Sequence, residues 1–118
     1  MINFEKAFEV AENENNKSYV LNWALKYSMD SNSHDLIIND FSFIENEQEK
    51  LIDFKRQLKE ANINNFILTE TSTALMKILH ALNSVNIVID KLETITIEEN
   101  LIRTKRIKEV KGIRMKVL

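Results

Sequence analysis

Four hydroxyl side chains near the middle of the chain are the first candidates for chemistry: Thr69, Thr71, Ser72 and Thr73. They follow a short apolar run and precede a helical pattern, and the start of a helix can bind phosphate or carboxylate through its free N–H groups. The turn lacks glycine and contains Glu70, which disfavours a wrapped anion site or a strained serine nucleophile. We expect these hydroxyls to cap the helix, while binding of an anion there remains an open alternative.

The two histidines, His34 and His80, do not form a catalytic or metal-binding pair in the sequence. They are far apart, and neither has a second histidine at the spacing of metal ligands. Asp30, Asn32 and His34 alternate as in a calcium loop, but Asp35 stands where that loop requires glycine. Cysteine is absent, which excludes disulfides and thiolate ligands. We therefore predict no metal, no cofactor and no enzymatic activity.

Charge is distributed unevenly along the chain, although the net charge is only −2. A basic segment that we expect to form a hairpin contains seven cationic residues: Arg103, Lys105, Arg106, Lys108, Lys111, Arg114 and Lys116. Acidic residues of the first and third predicted helices suggest a second surface: Glu5, Glu9, Glu12, Glu45, Glu47, Glu49 and Asp53. Either surface could bind an oppositely charged partner. Alternatively, lysines protect a final edge strand from pairing, and acidic residues in first helical turns offset the helix dipole.

Helical periodicity positions the acidic residues. Asn3 is expected to cap a first helix, and Ser18 a second that runs from Tyr19 to about Met29. The second helix is apolar around most of its circumference, so we predict that Trp23 is buried. Apolar spacings of three and four predict a third helix, starting near Ser42 or Asn46, and a fourth. Their apolar faces are, respectively, Leu51, Phe54, Leu58 and Ala61, and Leu75, Ile78, Leu79 and Leu82.

Strand patterns occupy the spaces between these helices and the last third of the chain. Short strands are predicted at residues 36–38 and 66–68, and longer ones at 87–97 and about 107–117, with a connection at 98–104. Val110 is out of phase with Ile113, and a bulge at Gly112 would restore the alternation. The chain thus reads as a single α+β domain over residues 1–118. N-terminal helices precede a small mixed sheet with a β-α-β unit and a C-terminal antiparallel hairpin.

Three segments resemble an uncharacterised family of small accessory proteins from plasmids, conjugative elements and phages of Gram-positive bacteria. They are NWALKY at residues 22–27, NNFIL at 64–68 leading to TAL at 73–75, and IRM at 113–115. Where that family carries EFTISST, this chain has NFILTET at residues 65–71. The resemblance implies no catalysis. It implies a context in which small proteins act against host defence, as anti-restriction and anti-CRISPR proteins do.

We therefore expect a cytoplasmic, non-enzymatic binding protein that inhibits a host defence complex. The specific expectation is a CRISPR effector nuclease, or its complex with guide RNA, as the partner. Residues 1–10 lack the apolar core of a signal peptide, and no apolar run is long enough to span a membrane. The alternatives are a structural or regulatory interaction domain that forms a homodimer through the final edge strand, and a nucleic-acid-binding accessory protein.

Overall fold

A computed structural model describes residues 2–13, 16, 18–41, 48–69 and 73–118. Within these ranges the chain forms helices and strands in the following order: α1 (Phe4–Ala11), α2 (Val20–Asp30), β1 (Ile37–Ile38), α3 (Gln48–Glu60), β2 (Asn65–Leu68), α4 (Leu75–Ser84), β3 (Ile87–Asn100) and β4 (Lys105–Val117). The predicted α+β class, with helices before a mixed sheet and an antiparallel hairpin at its end, is confirmed.

The sheet has the strand order β1-β2-β4-β3. β1 and β2 run parallel with Ile37 opposite Ile67, and β2 and β4 run antiparallel with Phe66 opposite Met115. β4 therefore lies inside the sheet, and the prediction that the final strand is an edge is wrong. The lysines of β4 do not indicate whether this strand lies at an edge or inside the sheet, because strand side chains project above and below a sheet and not along its edge. The exposed edge belongs to β3.

Helical crossovers connect the parallel strands. α3 joins the neighbouring strands β1 and β2, whereas α4 joins β2 to β3 with β4 lying between them. The second connection is a split β-α-β unit, because the central position is filled by the strand that comes last in sequence. The sheet is complete only when β4 inserts between β2 and β3.

The main core lies between the helices and one face of the sheet. Phe54 of α3 contacts Phe41 and Phe66 edge to face, with ring centroids 5.1 and 6.0 Å apart. The predicted apolar face of α3 is confirmed, since its four residues are almost fully buried: Leu51, Phe54, Leu58 and Ala61. The apolar periodicity of the sequence therefore identified the side of α3 that faces the core.

Trp23 corrects the prediction for α2, because 58% of its surface is exposed. α2 packs against α1, β1 and α3. It buries one side only, through Val20, Leu21, Ala24, Leu25 and Ser28. A helix that is apolar around most of its circumference gives no sequence signal for which side faces the core.

Capping agrees with the sequence prediction at the first helix and differs at the fourth. Asn3 accepts the Lys6 N–H at 3.1 Å through its side-chain oxygen. The N-cap of α4 is Ala74, which supplies no side-chain cap, so Thr73, one of the four hydroxyl residues expected to cap this helix, does not occupy the N-cap position. Thr71 and Ser72 lie outside the described residues, as do the predicted starting points of the third helix, Ser42 and Asn46.

A bulge occurs in the hairpin, but not at Gly112. The register shifts between Ile89 and Lys91, so the extra residue is Asp90 of β3. Gly112 serves a different purpose: a Cβ atom there would lie 2.6 Å from Cγ2 of Ile67. The glycine leaves room for the side chain of Ile67 on the neighbouring strand β2. Val110 needs no phase correction, because it pairs with Ile95 on the face of the sheet opposite that of Ile113.

α2 contacts both edges of the sheet. At β1, the hydroxyl of Ser28 accepts the Ile37 N–H at 2.8 Å. At the far end of β3, the Glu98 N–H donates to the carbonyl of Ser31 at 3.0 Å, directly after α2. The two edge strands of the sheet are therefore joined through α2 and the residue that follows it.

Candidate interaction surfaces

The acidic residues of α1 form one continuous stripe. Glu5, Glu9 and Glu12 are exposed, while Ala7 and Ala11 on the opposite side are buried. Residues four and three positions apart are neighbours on a helix surface. In the described part of the chain, none of the three carboxylates has an ion pair or a hydrogen-bond donor. We call these three residues the acidic stripe.

Asp53, one of the acidic residues predicted for the same surface, is largely enclosed in the fold. Asp53 has only 11% of its side chain exposed. Its carboxylate accepts hydrogen bonds from Arg56 at 2.6 Å, from Gln57 at 2.9 Å and from the Ser18 N–H at 3.2 Å. Asp53 is therefore a structural group that ties α3 to the segment before α2. Glu49 is exposed, and Glu45 and Glu47 lie outside the described residues.

Arg56 helps to hold α1 in position, a role that the sequence did not indicate. Its guanidinium donates to Glu60 at 2.9 Å and to the side-chain oxygen of Asn16 at 2.6 Å. Asn16 in turn donates to the carbonyls of Val10 at 2.8 Å and Ala11 at 3.2 Å, at the end of α1. The hydrogen bonds to Asp53, followed by those to Glu60, raise the pKa of Arg56. The hydrogen bonds of Asn16 and Arg56 therefore hold the C-terminal end of α1, the helix that carries the acidic stripe.

Arg114 is the most enclosed of the predicted basic residues, with 16% of its side chain exposed. Its guanidinium contacts Glu93 at 2.7 Å, Asn65 at 2.7 Å and Asp35 at 3.2 Å. Burial lowers the pKa of Arg114, but the hydrogen bonds to Glu93 and Asp35 outweigh it and raise the pKa overall. The Arg114 hydrogen bond also holds the pKa of Glu93 below its ordinary value. Arg114 therefore joins β2, β3 and the segment before β1.

The remaining basic residues differ in how far their charge is neutralised. Arg106 pairs with Glu99, whose pKa this hydrogen bond lowers, and Lys105 lies 3.8 Å from Glu98. Four exposed cations form no ion pair within the described ranges: Arg103, Lys108, Lys111 and Lys116. Residues 87–117 contain eight basic and five acidic side chains, so the hairpin has a formal charge of only +3.

The unpaired lysines are also divided between the two faces of the sheet. Lys108 and Lys116 point to the face shared with Arg114, because they are separated from it by even numbers of residues. Lys111 points to the opposite face. The hairpin therefore offers scattered cations and no single basic patch.

An exposed aromatic stripe on α2 was missed by the sequence reasoning. Tyr19 and Trp23 are 64% and 58% exposed and are followed by the exposed Lys26 at the next helical turn. Tyrosine and tryptophan are enriched among the residues that dominate binding energies. The sequence shows that Tyr19 and Trp23 are four residues apart and therefore on the same side of a helix. It does not show that the opposite side of α2 is the buried one, which leaves these two residues exposed.

Neither histidine belongs to a catalytic arrangement in the described residues. His80 lines a groove of about 360 Å³ between α4 and β3 together with Met76, Leu79 and Asn83. The residues lining this groove include no carboxylate or hydroxyl side chain, and Asn83 is the polar residue that lines it with His80. No group of three or more His, Cys, Asp or Glu residues able to hold a metal ion occurs in the described ranges. His34 is exposed.

Among the described residues, no helix is both long and apolar enough to cross a membrane. A family model for a domain of unknown function (DUF7698) matches residues 20–117. This range starts at the first residue of α2 and includes every strand described above, while the acidic stripe precedes it. No curated protein and no solved structure matches the chain.

Proposed function

The chain belongs to the DUF7698 family, which is defined by a domain of unknown function, and we propose that it is a non-enzymatic binding protein acting through the acidic stripe. The observation that carries this proposal is the exposure of Glu5, Glu9 and Glu12 without cationic partners. Arg56 and Asn16 fix the end of the helix that bears them. A rigid row of carboxylates suits a basic groove on a partner protein.

The proposed target is a CRISPR effector nuclease of the host, bound at the basic groove that receives nucleic acid. The resemblance to accessory proteins of mobile elements supports this class of target. The distribution of charge supports the mode of binding, because the carboxylates of α1 are unpaired whereas Lys105, Arg106 and Arg114 of the hairpin have acidic partners. Such a complex would form in the cytoplasm of the host.

The aromatic stripe supplies the apolar contacts that a charged surface alone lacks. Trp23 lies on α2, the helix that packs against α1, and Tyr19 is the N-cap of that helix. Electrostatic attraction mainly sets the rate and specificity of association, whereas buried aromatic side chains supply much of the affinity. We therefore include Trp23 in the proposed contact.

The decisive experiment is retention of a purified effector nuclease on the immobilised protein, with and without guide RNA. The wild type is expected to retain the guide-free effector, and added RNA should compete with it. A triple variant, Glu5→Gln, Glu9→Gln and Glu12→Gln, should weaken retention at least about tenfold, the loss of roughly 1.4 kcal/mol of binding energy. Thermal unfolding of each variant verifies that the fold is intact.

A matched control reverses three lysines of the hairpin: Lys108→Glu, Lys111→Glu and Lys116→Glu. This variant should retain the effector as the wild type does. Absence of retention in both guide states refutes the proposed target. Loss of binding in the lysine variant alone would favour the nucleic-acid-binding alternative, which also requires affinity for RNA or DNA that falls steeply with salt concentration.

A further inference from the structure

β3 presents a free edge over much of its 14 residues. Backbone groups along a strand point alternately to its two neighbours. The Glu98 N–H points away from β4, because it donates to the carbonyl of Ser31. The N–H and C=O groups of Leu92, Thr94 and Thr96 have the same orientation, and in the described part of the chain no backbone group pairs with them. This edge can accept another strand.

Apolar surface lies beside these free backbone groups. The side chain of Leu92 is 79% exposed, the most exposed large apolar residue within β3. It borders a groove of about 320 Å³ that is also lined by Leu68, Leu75 and Ile113. Hydrogen-bonding groups and exposed apolar surface at the same place are the features that favour addition of a strand.

We propose that a second copy of this chain pairs with β3 in antiparallel fashion about a two-fold axis at Leu92. Leu92 then lies opposite Leu92 of the second copy, and each Lys91 lies opposite a Glu93 of the other chain. Lys91 and Glu93 already share a face of the sheet, with Nζ and Oε1 3.3 Å apart in one chain. Opposite charges in directly facing positions stabilise antiparallel strands.

The registers with an axis at Glu93 or Thr94 lack this complementarity. An axis at Glu93 would place the two Glu93 carboxylates opposite each other, and like charges in facing positions are destabilising. An axis at Thr94 would place Lys91 opposite Ile97 and would leave the lysine without a facing carboxylate. Among these three registers, the charge pattern favours the axis at Leu92.

The fold limits this pairing to a short stretch. The bulge at Asp90 interrupts the strand on one side, and the bond between Ser31 and Glu98 occupies the edge on the other. Because the axis is two-fold and the same short segment is used by both chains, the assembly closes at two copies and does not extend into a fibre. This proposal does not depend on the acidic stripe or on the identity of its partner.

Sedimentation equilibrium over a wide range of protein concentrations tests for the dimer. The mass should rise with concentration from 13.8 kDa towards twice that value. Lys91→Glu should weaken association about tenfold, because two facing attractions become repulsions. The matched control Lys108→Glu alters an unpaired lysine on the interior strand β4 and should leave association unchanged. A single-chain mass at every concentration overturns the proposal and indicates that Lys91 and the bulge keep this edge unpaired.

Disulfide trapping tests the register, since the chain contains no cysteine of its own. Directly opposite residues in an antiparallel pair have Cα atoms about 4.5 to 5.5 Å apart, within the range that a disulfide bridges. Leu92→Cys should give a covalent dimer on mild oxidation, whereas Thr96→Cys should not. Crosslinking by Thr94→Cys without crosslinking by Leu92→Cys would overturn the axis at Leu92.

Discussion

The two halves of the β3–β4 hairpin are paired by the same set of strand hydrogen bonds but differ in how many side chains pack against the helices. The inner half, residues 87–92 and 113–117, buries Ile87, Met115 and Val117 against the helices. In the outer half, residues 93–100 and 105–112, Ile97 is the one apolar side chain that is fully buried. The ladder is interrupted in the inner half by the bulge at Asp90 and continues without a register shift through the outer half. The difference teaches that packing against the faces, and not pairing, decides where this hairpin contributes to stability.

The arginines of the two halves show the same contrast. Arg114 of the inner half contacts three elements and is largely enclosed. Arg106 of the outer half contacts Glu99, and both side chains are well exposed. Exposed ion pairs contribute little to stability because water and salt screen them. The two arginines of β4 therefore have different roles: Arg114 holds several segments together, and Arg106 forms an exposed ion pair.

The largest effect is expected from truncating the inner half. Met115→Ala should lower the free energy of unfolding by about 2 to 5 kcal/mol, because it removes a buried side chain and leaves a cavity. Ile107→Ala in the outer half should change it by less than about 0.5 kcal/mol, since Ile107 is 73% exposed. Urea unfolding of both variants measures the difference. Equal losses would contradict the contrast between the halves.

A substitution at Gly112 tests how tightly β4 packs where the two halves of the hairpin meet. Gly112→Ala should destabilise the protein by about 1 to 3 kcal/mol, because its new Cβ meets the buried Ile67 side chain and the strand has little room to move. Lys111→Ala, one position earlier and exposed, is the control and should be nearly neutral. Chemical denaturation is again the measurement. A neutral Gly112→Ala variant would show that β4 does not require this close approach.

The arginine contrast predicts a smaller effect. Arg114→Met should cost about 1 to 2 kcal/mol, because Glu93 is left half-buried without its main hydrogen-bond donor. Arg106→Met should cost no more than about 0.5 kcal/mol. Thermal unfolding of the two variants at the same ionic strength gives the comparison. A larger loss for Arg106→Met would reverse the assignment of structural and solvated arginines.

The smallest effect is a dependence on pH. The pKa of Glu93 is lowered in the folded protein, so its ionised form stabilises the fold above the unfolded pKa of about 4.3. This contribution should disappear as the pH falls through the lowered pKa. The difference in unfolding free energy between wild type and Glu93→Gln should therefore be constant near neutral pH and shrink below about pH 4. A difference that grows on acidification would contradict the Arg114–Glu93 interaction.

Helical periodicity predicted the α+β class and the core residues of α3. A narrow apolar stripe on a helix identifies the side that faces the core. Leu51, Phe54 and Leu58 illustrate this, with almost no exposed surface. Trp23 shows the limit, since an apolar circumference does not identify the buried side. The interior position of β4 was also beyond prediction, because strand order depends on partners far away in the sequence.

For the candidate site, residue type alone could not separate free charges from structural ones. Glu5 and Asp53 looked equivalent in the sequence, yet one is exposed and the other holds Arg56, Gln57 and the Ser18 backbone. The difference arises because Asp53 faces the connection between α1 and α2, a contact that no local pattern encodes. Only tertiary packing distinguishes the two carboxylates.

The interior position of the last strand also constrains how the chain acquires its structure. β2 has only the two-residue strand β1 as a neighbour until residues 105–117 are available to pair with it. The apolar residues of β2 therefore remain without their antiparallel partner until β4 pairs with them. Contacts between segments so distant in sequence slow folding. Pairing of β4 with both β2 and β3 is therefore the step that completes the sheet.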